Sequence, residues 1–80
     1  MLVSLDKNKW LFDWMQDQWQ DELYNIIVGL DPLVKRPSVM RKLIGKMLQE
    51  KGYKAKVTSK HDIIISMTEA EYILLKLKYQ

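Results

Sequence analysis

Residues 36–67, RPSVMRKLIGKMLQEKGYKAKVTSKHDIIISM, read as one amphipathic helix that runs without a linker into a β-hairpin, and this join constrains the rest of the chain more than any other feature. Val39, Met40, Leu43, Ile44, Met47 and Leu48 recur at three- and four-residue intervals. At 3.6 residues per turn they gather on one side and predict a core-facing helix. The opposite side collects Ser38, Arg41, Lys42, Gly45, Lys46 and Gln49. Pro37 suits a first helical turn because its φ is preset and it has no N–H to leave unbonded, while Gly52 can take the positive φ that closes a helix. Beyond it, Tyr53, Ala55 and Val57 alternate with Lys54, Lys56 and Thr58, the period of a strand with one wet face. Ser59 to Asp62 supply a turn. Ile63, Ile64, Ile65, Ser66 and Met67 then form a β-branched run that predicts a more buried returning strand.

The remainder must fold around that unit as one small domain, since 80 residues bury only about 60% of their unfolded surface and cannot support two cores. The chain has no cysteine and a single histidine, so neither disulfides nor a Cys/His zinc cage can supplement the packing. No apolar run approaches the ~20 residues of a membrane span, and no basic, apolar, small-residue leader opens the sequence. The expectation is a soluble, cytoplasmic protein that contacts no membrane. Net charge is +3, but it is unevenly placed: residues 1–30 carry two lysines against five carboxylates, a net of −3, which leaves +6 for residues 31–80. The positive field therefore belongs to the helix and hairpin.

Taken in order, Met1 to Leu5 predict a short edge strand added to the hairpin. Asp6 and Asn8 are candidate N-caps for a helix beginning near Lys9, because their side-chain oxygens can accept from the free N–H groups of a first turn. From Trp10 to Leu30 a helical stripe is formed by Leu11, Phe12, Met15, Trp19, Leu23, Ile26, Ile27 and Leu30. One long helix and two helices broken near Gln18 to Asp21 both fit, since no Gly or Pro interrupts the run. Gly29, Asp31 and Pro32 end it, and Leu33 to Arg36 are expected to form a connecting loop. Thr68 and Glu71 have capping-box spacing ahead of Tyr72 to Tyr79, which favours a last helix over the competing strand-like alternation of Ile73, Leu75, Leu77 and Tyr79.

An enzyme reading has little support. His61 is the only histidine, and on a strand its neighbour Asp62 would point to the opposite face. No Gly-rich phosphate loop, carboxylate pair or metal-binding pattern is present, so no catalytic residue, metal or cofactor is expected. Asp13, Asp17 and Asp21 share one helical ridge, which is better explained as a solvated face than as a cation site. Trp10, Trp14, Tyr24 and Val28 lie roughly opposite the main apolar stripe, among Asp17 and Asp21. On a single straight helix these residues would form a contact surface for a protein partner or a second copy. A break near Gln18 would instead rotate the halves and turn Trp10 or Trp14 inward.

On the central helix the basic strip carries an interior glycine, Gly45, which costs about 1 kcal/mol relative to alanine and suggests a close backbone approach. Lys54, Lys56, Lys60 and His61 extend the positive surface onto the hairpin. The order S-x-x-x-x-L, a further apolar turn ending K-G-Y, a strand, a basic turn, a strand and M-T-E-A-E, with Ser38, Leu43, Met47, Lys51, Gly52, Tyr53, Met67, Thr68 and Glu69 in the matching places, resembles the second half of winged helix-turn-helix domains. It is similar to MarR-type repressors and to the winged-helix tails of phage and plasmid primases, over about half the chain. The resemblance implies an α+β winged-helix fold and a non-enzymatic double-stranded-DNA-binding role in transcription or replication, in a virus or mobile element. It implicates Ser38, Arg41, Lys42, Lys46 and Gln49 on the helix, with Lys60 and His61 at the wing tip. Lys54 joins them through its place on the basic hairpin, and Arg41 is the candidate reader of a guanine edge. The alternative function is a small inhibitor or adaptor that binds a protein through Trp10, Trp14, Asp17, Asp21 and Tyr24.

Overall fold

The computed structural model describes residues 1–28 and 37–80, and the expected helix end at Gly29 to Pro32 and loop at Leu33 to Arg36 lie outside the described residues. The architecture is α+β. Strand β1 (Leu2–Ser4) is followed by helices α1 (Trp10–Val28) and α2 (Pro37–Glu50), strands β2 (Lys54–Val57) and β3 (Ile63–Ser66), and helix α3 (Glu69–Tyr79). The strands form an antiparallel sheet in the order β1-β3-β2. Val3 and Ala55 flank Ile65 from either side, so the first strand does extend the hairpin.

The core forms where the inner face of the sheet meets the helices. Val3, Ala55, Ile63 and Ile65 point inward from the three strands and meet Ile44, Met47 and Leu48 of α2 and Leu11, Trp14, Met15 and Leu23 of α1. Ile63, Ile65 and Leu48 are fully buried, as the β-branched run and the helix stripe predict. The end of α2 is closed by Gly52 at φ 92°. There the Tyr53 N–H donates to the Leu48 carbonyl and the Gly52 N–H to that of Gln49, both at 3.0 Å, a Schellman closure that turns the chain directly into β2.

Helix α1 is broken at Trp19, whose φ of −137° and ψ of 49° are not helical. The break falls inside the polar run Gln18 to Asp21 and turns Trp14 inward, where it is 3% exposed. Trp14, Trp19 and Tyr53 pack edge to face, with centroids 5.3, 5.4 and 5.8 Å apart, and so fasten the bend to the start of β2. At the start of α1, Asn8 uses its side chain to bond the Ser4 carbonyl and the Tyr72 hydroxyl.

The last segment is a helix with a complete capping box. The Thr68 hydroxyl accepts from the Glu71 N–H at 3.1 Å, and the Glu71 carboxylate accepts in return from Thr68. Tyr72, Leu75 and Tyr79 pack against the core edge, with Tyr72 beside Trp10 at 5.9 Å.

Candidate nucleic-acid interface

Helix α2 lies against the inner side of the hairpin, and this contact decides which of its polar residues reach solvent. Gly45 is buried, and a Cβ built there would stand 2.9 Å from Val57 Cγ2. The close backbone approach signalled by this glycine is thus to β2 within the domain. That corrects its assignment to an outward strip.

Arg41 also turns toward the hairpin. Its guanidinium pairs with Asp6 at 2.7 Å and donates to the His61 carbonyl at 3.0 Å, which joins α2 to the β1–α1 connection and to the hairpin tip. At 100° per residue Arg41 lies between the buried Gly45 and Leu48, one step around the helix from the face that carries Lys42. A guanidinium held by two partners has little freedom to search for a base edge, so the geometry does not favour Arg41 as a guanine reader. Gln49 is similarly engaged, its side-chain amide donating to the Ala55 carbonyl. Ser38 is half-buried.

Lys42 and Lys46 are exposed on the far side of α2. Lys46 borders a shallow groove between α1 and α2 that also holds Glu22 and Glu50, which dilutes its charge. Lys54 and Lys56 project from the sheet face opposite the core, where Leu2, Ile64 and Ser66 accompany them. The basic residues therefore occupy two faces, one on α2 and one on the sheet, while Lys60 and His61 are exposed at the hairpin tip, which Arg41 ties to α2.

That tip is a constructed turn. The Thr58 N–H donates to the Asp62 carbonyl at 2.8 Å, the His61 N–H to the Thr58 carbonyl at 2.9 Å, and the Asp62 N–H to the Thr58 hydroxyl at 3.1 Å. His61 adopts φ 64°, a left-handed conformation that histidine tolerates better than most residues other than glycine. Asp62 turns back toward β1, accepting from the Ser4 hydroxyl and from the Asp6 N–H. Its role is to hold the tip down, and the residue signals of a turn gave no view of a partner 58 residues away.

No protein family, curated protein or solved structure matches this chain.

The proposed protein-contact set is divided by the fold. Trp14 is buried and Trp10 is half-buried against Tyr72, so neither indole forms the open surface expected on a straight helix. Asp17, Asp21 and Tyr24 remain exposed. Among the described residues no group of three or more His, Cys, Asp or Glu side chains is arranged to hold a metal ion, and no helix is long and apolar enough to cross a membrane.

Proposed function

We propose that this chain is a winged-helix-like module that binds double-stranded DNA, with α2 set toward the duplex and the β2–β3 hairpin as its wing. The observation that carries this reading is the bond from Arg41 to the His61 carbonyl, which holds a hairpin tip with exposed Lys60 and His61 against the helix that exposes Lys42 and Lys46. A helix and a hairpin pinned to it, each with exposed cations, suit contact with successive phosphates. With Arg41 and Gln49 engaged inside the domain, few side chains on this surface remain to read base edges. Binding is accordingly dominated by the phosphate backbone, with modest sequence preference. The role is non-enzymatic, in transcription or replication.

A salt titration tests it. Association with a random-sequence duplex, followed by fluorescence anisotropy, should weaken with salt at a log–log slope of about −0.9 per phosphate contact, with roughly three to five contacts. The double substitution Lys42→Ala and Lys60→Ala should flatten that slope by about two contacts' worth, to a similar degree on all sequences. Absence of salt-dependent binding at low ionic strength would exclude the reading.

A further inference from the structure

Helix α3 has two apolar faces, and the fold uses one. Tyr72, Leu75 and Tyr79 pack on the core edge. Ala70, Ile73, Leu74 and Leu77 follow the i, i+3, i+4, i+7 spacing of a second stripe on the opposite side of the helix. Ile73, Leu74 and Leu77 are 47, 69 and 78% exposed, and nothing among the described residues covers them. Three large aliphatic residues aligned on one short helix are a contact surface in search of an occupant.

The flanking charges identify that occupant. Glu69 and Lys76 border the stripe on one side and Glu71 and Lys78 on the other, so each flank is acidic toward the helix start and basic seven residues later. When two helices pack antiparallel through such a stripe, each flank meets the same flank of the other helix. Glu69 then faces the other copy's Lys76, and Glu71 the other copy's Lys78, giving four favourable pairs across a twofold axis. Parallel packing sets each flank against the opposite one, which brings Glu69 to Glu71 and Lys76 to Lys78. A shallow depression bounded by Ile73, Lys76, Leu77 and Gln80 adds shape to charge, because the i, i+3, i+4, i+7 set is the hole that receives a knob from a facing helix.

We infer that this face of α3 docks a second copy of the chain, antiparallel and about a twofold axis. The interface is separate from the cationic surface of α2 and does not depend on DNA binding. An 11-residue helix, about 16 Å long, offers less than the roughly 800 Å² per partner of a standard interface. The dimer is therefore weak and concentration-dependent, with a dissociation constant on the order of 10⁻⁵ to 10⁻³ M.

Sedimentation equilibrium of the full chain over about 10 µM to 1 mM, the range of that constant, reads the association directly. Glu69→Lys and Lys76→Glu change exposed residues, and circular dichroism checks that each variant remains folded. Each should weaken self-association about tenfold, since two attractive pairs become repulsive. Their equimolar mixture should recover it, because each copy then supplies the charge that the other lacks. Glu69→Lys also reads orientation: it would strengthen a parallel pair by facing Glu71, and it must weaken an antiparallel one. A monomeric mass across the whole range, a mixture no tighter than its components, or stronger association of Glu69→Lys alone would each overturn the proposal.

Discussion

Arg41 joins three segments that are distant in sequence, and its side chain acts as a brace. The ion pair with Asp6 is partly exposed, at 27% for the arginine side chain and 46% for the aspartate, so solvent leaves it worth at most about 1 kcal/mol. The bond to the His61 carbonyl contributes about as much again. Arg41→Met, which keeps the aliphatic stem, should lower the urea-unfolding free energy by about 1 to 2 kcal/mol and loosen the hairpin tip. Gly45 is the other residue whose meaning depends on a neighbour. Alanine there gains about 1 kcal/mol of helix propensity but pushes a methyl against Val57 Cγ2, an overpacking cost of about 1 to 3 kcal/mol. Val57 is β-branched and stiff at χ1, so the clash wins and Gly45→Ala destabilises. In a Val57→Ala background the same change should stabilise. A double-mutant cycle by urea denaturation gives the coupling, expected at about 1 to 2 kcal/mol.

Elements defined by local chemistry were legible in the sequence, and those defined by a distant contact were not. Helix α2 has Pro37 at its start, a Schellman glycine at its end and a stripe that buries Leu48 completely. Leu48→Ala should therefore cost about 2 to 5 kcal/mol, read from the denaturation midpoint. Helix α3 was ambiguous by periodicity, because its alternating apolar residues suit a strand. The Thr68 and Glu71 capping box settles it locally, and Thr68→Ala should remove about 1 kcal/mol together with some helical circular dichroism. In α1 no Gly or Pro marks the break at Trp19. Its cause lies in tertiary packing: the edge-to-face cluster with Trp14 and Tyr53 holds the bend, and Tyr53 is 34 residues further along the chain. The same kind of contact leaves no local signal at Arg41, whose inward turn depends on Asp6 and on the folded-back hairpin tip.

Across the whole molecule the charge asymmetry noted in the sequence becomes a difference between surfaces. Asp13, Asp17 and Asp21 are exposed on α1, while Lys42 and Lys46 are exposed on α2 and Lys54, Lys56 and Lys60 on the hairpin. On the proposed function, a duplex bound at α2 and the hairpin would interact with the two groups differently. Lysines at phosphates release condensed counterions, and each one lost changes the salt slope. Carboxylates on another surface act only through a field that fades over a Debye length of about 10 Å at 0.1 M salt. Replacing Asp13, Asp17 and Asp21 together by asparagine should thus raise DNA affinity at low salt, leave the slope within about half a contact of the native value, and lose its effect as salt approaches physiological strength. Replacing Lys42 and Lys60 should flatten the slope itself. Measuring both variants in one salt series separates contact from field. If the aspartate replacement changes the slope as much as the lysine replacement does, α1 faces the duplex and the assignment of α2 and the hairpin to the DNA side is wrong.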